Sequence, residues 1–362
     1  MSGIKSMDSQ ASRKGVRTRR GPRFLAGVIA GMLVLGAPVV ATAETLADAL
    51  AGAYNNSGLL EQNRALLRAA DEDVGVALSA LRPIIGWSAD VTYSDSDARS
   101  SLTGLRSTQD TSASLGLSAD ILLYDGGRSR MGVDIAKESV LATRQALIAV
   151  EQNILLQAVQ AFMDVRSNTE IVALRRNNVR VITQELRAAQ DRFEVGEVTR
   201  TDVALAEARL AGANALLAQA EGDLAEAQAF YRFAVGRDAR ALAVPPALPA
   251  RPASVAAAQD VAMRSHPDIL RAQHEVAVSD LRVLVAKAAA IPRVQLQSRY
   301  GLTEDLGGSD YSRGGSIGIG VTGPIYQGGR NSALERQAIN RGTAARSALY
   351  ETTQRIAQNV ST

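Results

Sequence analysis

The chain has 362 residues, of which 40 are Lys or Arg, 37 are Asp or Glu and none is Cys. Its basic pI of 9.3 comes from the N-terminus, where the first 23 residues hold seven basic side chains and one acidic one. Residues 44–362 carry 33 basic against 36 acidic side chains. The basic pI therefore gives no reason to expect a nucleic-acid partner for this part of the chain. The lack of cysteine excludes disulfides and a lipoprotein anchor.

Residues 1–43 have the three parts of a secretory signal peptide. A cationic start precedes an apolar stretch at residues 24–40, and Ala41-Thr42-Ala43 forms a small-x-small cleavage site. The alternative is a retained transmembrane helix, since the stretch is nearly long enough to span a bilayer. Pro38 and three glycines within the stretch favour a cleaved export signal, so we expect the mature chain to begin at Glu44.

Two helix-and-hairpin units are predicted along the mature chain. Helices at residues 45–81 and 254–290 are each stopped by a proline, Pro83 or Pro292, and a hairpin follows. In the hairpins, apolar and polar residues alternate as in strands with two different faces. The alternating runs are residues 85–93, 112–123, 293–302 and 316–322, within hairpins predicted at 84–124 and 292–326.

The longer alternating runs have about 9–12 residues, the length that a tilted strand needs to cross a bilayer. A soluble sheet with one wet face is the alternative. Aromatic residues near the strand ends favour a membrane barrel with an interfacial girdle: Trp87, Tyr93, Tyr124, Tyr300 and Tyr326. Four charged residues on the polar faces favour a water-filled lumen: Asp90, Asp120, Arg293 and Arg299. For Asp90 and Asp120, the alternative is that they cap the ends of loops.

Four strands cannot close a barrel, and each unpaired backbone group in lipid costs several kcal/mol. If the strands span the membrane, the chain must therefore pool strands with other copies. Three chains would supply twelve strands, the smallest pooled number that comfortably leaves a bore, because eight strands fill their interior with side chains.

The longest predicted helix runs from residue 128 to about residue 194, without proline and with one glycine, for about 100 Å. Its apolar seam is heptad-spaced and faces a returning helix that ends near residue 235, whose second seam is alanine. Gly196 is expected to end the first helix, and Thr199 or Thr201 to cap the second. The two predicted seams are Val165, Val172, Val179, Leu186 and Phe193, and Ala206, Ala213, Ala220, Ala227 and Ala234.

The hairpins end in related sequences, LYDGGR at residues 123–128 and IYQGGR at residues 325–330. We expect the glycine pairs to turn the chain sharply from strand to helix, because glycine adopts backbone angles that other residues resist. A phosphate-binding loop is disfavoured, since no Gly-Lys-Ser/Thr follows. The turn residues are Gly126, Gly127, Gly328 and Gly329.

The elements therefore form an internal duplication. The first repeat covers residues 44–244, with its long helix pair at 128–235. A proline-rich linker at residues 245–253 separates it from the second repeat at residues 254–362. The predicted fold class is an α+β membrane protein, with duplicated β-hairpins and long antiparallel coiled-coil helices.

The paired YxGGR turns, the segment FEVGEVTRTDVALAEARL at residues 193–210 and His266-Pro267-Asp268 resemble the TolC family of outer-membrane efflux proteins. The resemblance implies a homotrimer in the outer membrane, with a twelve-stranded barrel continued by a helical barrel through the periplasm. It implies an exit duct of a tripartite efflux pump or type I secretion system, without cofactor or metal. The implied partners are a periplasmic adaptor and an inner-membrane transporter of the RND, ABC or MFS type.

The resemblance also implies that the tip between the long helices docks onto the adaptor. Glu197 departs from the family, where an apolar residue is common. The matching tip residues are Val195, Gly196, Thr199 and Asp202.

In the second repeat, helix follows the glycine pair for only 33 residues, against about 110 in the first. We therefore expect the chain to be truncated by at least about 75 residues, including a second tip and the gate that the family carries there, and not to form a closed channel alone. No arrangement of residues indicates an enzyme. The competing functions are a structural or adhesive coiled-coil surface protein, which leaves the hairpins unexplained, and a general diffusion porin, which leaves the long helices unexplained.

Overall fold

The computed structural model describes residues 43–361 except Ser101 and Thr103. The predicted signal peptide, apart from Ala43, lies outside the described residues. The described elements are α1 (Leu46–Asn56), α2 (Gly58–Ser79), β1 (Ile84–Ser100), β2 (Gly104–Tyr124), α3 (Arg128–Glu194), α4 (Arg200–Val235), α5 (Val255–Ser265), α6 (Pro267–Ala288), β3 (Arg293–Asp305), β4 (Tyr311–Thr322) and α7 (Arg330–Ser361).

Each helix predicted before a hairpin is two helices in the structure, which corrects the sequence analysis. Ser57 interrupts the first, and its side chain accepts a hydrogen bond from the Leu60 N–H at 3.2 Å as the N-cap of α2. His266 interrupts the second, and its Nδ1 accepts from the Asp268 N–H at 3.2 Å. Pro267 follows as the first residue of α6, where its missing N–H costs nothing. Both breaks are therefore capped starts of new helices.

The four strands form one antiparallel sheet in the order β1-β2-β3-β4. The strands of the first hairpin are longer than the alternating runs at residues 85–93 and 112–123, because Tyr93 pairs with Thr111 and pairing continues to Ser100 and Gly104. The added residues are mostly Ser, Thr, Asp and Arg, so backbone pairing extends beyond the alternating pattern that the sequence shows. Within the described residues, the outer edges of β1 and β4 have no strand partner.

The long helices have the predicted bounds, and α3 packs along α4. Val165 and Val172 are buried, whereas Phe193 near the end of α3 is 45% exposed. The facing alanines Ala213, Ala220 and Ala227 are also buried, and small residues on one seam allow the helices to approach closely. The seam is thus tightest far from the tip and opens toward it.

The main core lies where α1, α3 and α4 meet, and it includes Ala53, Ala158, Phe162 and Tyr231. Among the described residues, α3 is the helix long and apolar enough to cross a membrane by composition, with a mean hydropathy of 1.3 in an 18-residue window. Its residues in this core bury part of that apolar surface against neighbouring helices.

Glu44 ties the beginning of the described chain to the end of α4. Its buried Oε1 accepts hydrogen bonds from the Tyr231 hydroxyl at 2.8 Å and the Arg237 Nε at 2.9 Å. Burial and the hydrogen bond to Glu44 raise the pKa of Tyr231 well above its usual value. The Glu44 N–H also donates to the Ala241 carbonyl at 2.8 Å. Oε1 is therefore both paired with a cation and hydrogen-bonded, as a buried charge requires, whereas Oε2 is buried without a hydrogen-bond partner among the described residues.

Two glycines allow α1 to approach the end of α4. Gly236 has φ +82°, and a Cβ there would lie 1.6 Å from Asn56 Nδ2. A Cβ on Gly52 would lie 2.8 Å from Val235 Cγ1. Side chains at either position would push the two helices apart.

We predict that Gly236→Ala destabilises the chain by more than the ~1–2 kcal/mol of left-handed backbone strain, because Asn56 must also move. Gly212→Ala is the matched control in the same helix, since a Cβ there meets nothing within 4 Å; it should stabilise by about 0.5–1 kcal/mol. Urea unfolding of the detergent-solubilised protein, followed by circular dichroism, measures both. Equal midpoints for the two variants would contradict the packing described.

Tyr231→Phe is expected to lower the free energy of unfolding by about 1–3 kcal/mol, because Glu44 loses a hydrogen bond inside the protein. Tyr350→Phe is the control, since Tyr350 is exposed. The same unfolding measurement applies, and a Tyr231→Phe variant as stable as the control would show that this hydrogen bond contributes nothing.

Candidate functional site

Two regions at opposite ends of α3 hold the predicted site residues. The sheet and its turns lie at the start of α3, and the tip between α3 and α4 lies at its end. Since α3 has 67 residues, the two regions are about 100 Å apart at 1.5 Å per residue.

One face of the sheet is apolar across all four strands. The register places Trp87 beside Leu117, and Leu117 beside Tyr300. On β4 the same face carries Ile317 and Ile319. These side chains are largely exposed, with Trp87 at 75%. A contiguous apolar face of this size on a sheet that nothing covers is suited to lipid.

The opposite face is polar and carries all four predicted lumen residues, in different rows of the sheet. Asp90 lies opposite Ser114 and accepts a hydrogen bond from its hydroxyl at 2.7 Å. Asp120 lies opposite Gln297, and Arg299 lies between Ser118 and Ser316. Arg293 is on the same side of β3. Because Asp90 and Asp120 lie inside strands, the alternative that they cap loop ends does not fit the structure.

The apolar band crosses the sheet obliquely. Its centre lies near Ala89 on β1 and near Ile319 on β4. Following the paired residues straight across the sheet from Ala89, however, leads to Arg313 on β4 and not to Ile319. The band therefore shifts by about six residues, or about 20 Å, across a sheet about 14 Å wide. A level membrane would produce this shift if the strands were inclined by roughly 55°, about 10° more than the usual tilt of spanning strands.

The predicted girdle aromatics occupy different depths. Tyr93 lies within β1, but the apolar run ends there, since the same face continues with Asp95 and Asp97. Tyr124 ends β2 at the other limit of the band. Trp87 is the fourth residue of β1, near the start of that strand, whereas Tyr300 lies in the middle of β3 rather than near its end. The remaining aromatic, Tyr326, lies in the second turn.

All four predicted turn glycines have positive φ, from +58° at Gly328 to +84° at Gly329, a backbone conformation that glycine adopts readily. Sequence analysis missed the first turn's Asp125, which accepts hydrogen bonds from the N–H groups of Gly127 at 3.0 Å and Ser129 at 2.8 Å. Burial raises the pKa of Asp125, but hydrogen bonds from Ser129 and Gly127 outweigh it and hold the pKa below its usual range. The sequence signal that could have identified Asp125 is an aspartate directly before a glycine pair at the start of a helix, since aspartate commonly caps helix N-termini.

The tip is built by a Schellman motif and a capping box. Gly196, at φ +80°, donates its N–H to the Phe193 carbonyl at 3.0 Å, and the Glu197 N–H donates to the Arg192 carbonyl at 2.9 Å. Thr199 caps α4, and its N–H donates to Asp202 Oδ2 at 2.8 Å.

Of the four predicted tip residues, three thus form the turn, while Val195 is 71% exposed. Gly196 supplies the left-handed backbone, and Thr199 and Asp202 form the reciprocal cap. An exposed apolar side chain on a rigid turn is a suitable contact for another protein.

One contact between the repeats was not found from the sequence. His274 on α6 lies 2.8 Å from Glu138 on α3, joining ring Nδ1 and carboxylate Oε2. The two residues are 136 positions apart in the chain, so the sequence holds no local signal for the contact. Within the described part of the chain, no group of three His, Cys, Asp or Glu side chains could hold a metal ion.

A two-faced sheet joined to a long helical coiled coil defines the class of TolC-like channel subunits, and comparison with known proteins agrees. Residues 50–237 and 258–362 match the family described as outer membrane efflux protein. The chain belongs to this family, whose members are outer-membrane proteins that extend into the periplasm.

Individual relatives match the chain in sequence, and a solved structure matches it in fold. The chain is 38% identical over 300 residues to outer membrane efflux protein BepC of Brucella suis, covering 82% of this chain and 64% of BepC. It is 26% identical over 212 residues to alkaline protease secretion protein AprF of Pseudomonas aeruginosa, covering 54% and 44%. The crystal structure of outer membrane protein VceC from Vibrio cholerae matches with a TM-score of 0.71 at 20% identity, covering 86% and 75%. The chain thus spans less than two thirds of the length of BepC and of AprF.

We predict that Asp202→Asn speeds amide exchange at residues 199–203 at neutral pH, because hydrogen bonds from Thr199 lower the pKa of Asp202 and stabilise its charged form. Because the pKa of Asp202 is lower in the folded chain than its usual value of 3.8, its charged carboxylate stabilises the folded state at pH values above 3.8. This stabilisation is lost as the pH falls through the folded-state pKa. The difference from the parent protein should therefore shrink in acid. Glu197→Gln is the control, and equal exchange in both variants at neutral pH would contradict the capping role.

Proposed function

We propose that the chain is a subunit of a trimeric exit duct in the outer membrane, serving a tripartite efflux pump or a type I secretion system. The observation that carries the proposal is the sheet, with one apolar face, one polar face and two unpaired edges. The apolar face would meet lipid, and the polar face would line water. The unpaired edges require strands from other copies, because lipid offers their backbone groups no hydrogen-bond partner.

In this proposal the duct is passive and has no catalytic role. An inner-membrane transporter of the RND, ABC or MFS type would supply the energy, and a periplasmic adaptor would connect it to the duct. We propose that the adaptor docks at the tip, where Val195 is exposed and Gly196, Thr199 and Asp202 fix the backbone. Asp90, Asp120, Arg293 and Arg299 would face the lumen, and Tyr93 and Tyr124 would mark the limits of the lipid-facing band.

The relatives support both export routes. BepC is named an efflux protein and AprF a protease secretion protein. A structural coiled-coil protein would not need a sheet with two chemically different faces. A diffusion porin would leave about 100 Å of helix without a role.

Deleting the gene for this chain should increase drug susceptibility or abolish secretion of a protein substrate. Restoring the gene with Val195→Asp should fail to complement, because a charge at the tip would be buried against the adaptor without a partner. Glu197→Gln is the matched control at the same turn and should complement. Immunoblots of outer-membrane fractions verify equal amounts. Unchanged susceptibility together with unchanged secretion in the deletion strain would overturn the proposal.

A further inference from the structure

The buried carboxylate of Glu44 distributes its hydrogen bonds unevenly between its two oxygens. Oε1 accepts from the Tyr231 hydroxyl at 2.8 Å and from the Arg237 Nε at 2.9 Å, and it lies 2.6 Å from the Arg237 Nη2. Oε2 is buried and has no hydrogen-bond partner among the described residues. A charged oxygen enclosed in protein without a donor is unfavourable. The site therefore lacks one donor, and a cationic donor would suit a carboxylate best.

The backbone of the uncleaved chain has no hydrogen to spare for Oε2. The Glu44 amide carries a single hydrogen, which it donates to the Ala241 carbonyl at 2.8 Å. The Glu44 carbonyl accepts from the Ala243 N–H at 2.9 Å, so the residue forms a bridge with Leu242. A nitrogen at this position with more than one hydrogen would keep the bond to Ala241 and have another to donate.

The predicted leader cleavage changes this same nitrogen. Ala43 is exposed, whereas Glu44 is 6% exposed, so the chain enters the core between these two residues. A signal peptidase hydrolyses the Ala43–Glu44 peptide bond with one water. The products are a carboxylate on Ala43 and an α-ammonium on Glu44. The ammonium has the additional hydrogens that the amide lacks, and it carries a positive charge.

We propose that removal of the leader completes the site, because the new α-ammonium of Glu44 pairs with Oε2 of its own side chain. The ammonium keeps its hydrogen bond to the Ala241 carbonyl and donates a second one to Oε2. A glutamate side chain is long enough to fold back onto its own nitrogen in a staggered rotamer. This inference goes beyond the proposed function and rests on the predicted cleavage before Glu44.

The pairing makes the first repeat most stable after processing. Glu44 is tied to the end of α4 through Tyr231 and Arg237, and the Arg237 Nη2 also donates to the Asp48 carbonyl in α1 at 3.0 Å. With the leader attached, Oε2 stays unpaired where α1 meets α4. Cleavage supplies its partner, so the joint between the two helices is completed when the chain has been exported.

The other charged groups around the new ammonium do not favour it on balance. Asp48 in α1 stabilises it, whereas Arg237 opposes it, as does Arg166 in α3, which donates to the backbone segment paired with Glu44. Tyr231 in α4 is uncharged, because burial raises its pKa. Burial of an amine lowers its pKa. A raised pKa of the α-amine therefore reports its contact with Oε2.

The pH profile of N-terminal acylation tests the pairing, because acylating reagents react with the uncharged amine. The chain is expressed with its leader, the mature protein is purified from outer membranes in detergent, and mass spectrometry of the N-terminal peptide measures acylation. We expect a midpoint about one pH unit above the ordinary α-amine range of about 7.7–8.0. Acylation at neutral pH should then be about tenfold slower than in Glu44→Gln, whose amide cannot pair with the charge. Restricted access alone would slow acylation at every pH and leave the midpoint unchanged.

An insertion provides the matched control. One asparagine between Ala43 and Glu44 moves the ammonium outward by one residue and returns an amide to Glu44, with the described hydrogen bonds retained. This variant should show an ordinary acylation midpoint and a lower urea midpoint than the parent. Tyr231→Phe removes a donor to Oε1 and not to Oε2, so it should keep the raised acylation midpoint.

Three results would overturn the proposal. They are a parent midpoint equal to that of Glu44→Gln, a raised midpoint in the insertion variant, and a mature chain that does not begin at Glu44. Each would leave the export function standing, because that function is scored by drug susceptibility and secretion in the deletion strain. Unchanged susceptibility and secretion there would overturn the export function and leave the pairing, which is measured on the purified protein.

Discussion

The fold depends on backbone hydrogen bonding where water is absent. A sheet with an uncovered apolar face belongs in lipid, and there every N–H and C=O must be paired within protein. Pairing of β1 with β2, β2 with β3 and β3 with β4 satisfies the interior of the sheet. The outer edges of β1 and β4 have no strand partner within one copy, so the proposed membrane-embedded unit would have to be an assembly.

Duplication answers this constraint with little new sequence. Each repeat supplies a capped helix, a hairpin, a left-handed glycine turn and a long helix, and the two repeats meet through β2–β3 and through α3–α6, where His274 contacts Glu138. A contact that joins two repeats of one chain can also join two copies of the chain. The glycine turns matter because α3 begins immediately after Tyr124, so sheet and coiled coil form one continuous path from membrane to tip.

Sequence analysis recovered what periodicity encodes. Heptads and the lack of proline defined α3 and α4, alternation defined both faces of the sheet, and the glycine pairs located the turns. It missed features that arise from local caps or distant contacts. The break at Ser57 depends on one side chain accepting from Leu60, and Ser94 to Ser100 extend the strand pairing without an alternating pattern to mark them. Glu44 and Tyr231 are 187 residues apart, and no periodicity connects them.

The polar face also bears on where the proposed duct would discriminate among substrates. Within the depth of the apolar band, the polar face of each copy carries two carboxylates, Asp90 and Asp120, and two guanidinium groups, Arg293 and Arg299, so opposite charges share one wall. A wall of mixed sign has little net field to favour cations or anions, in contrast to the single-sign rings that make pores selective. Selection would then fall to the far end of α3, about 100 Å away, where the tip meets its adaptor. A duct of this kind could serve an efflux pump or a secretion system with the same barrel, since neither route would ask the barrel to recognise its cargo.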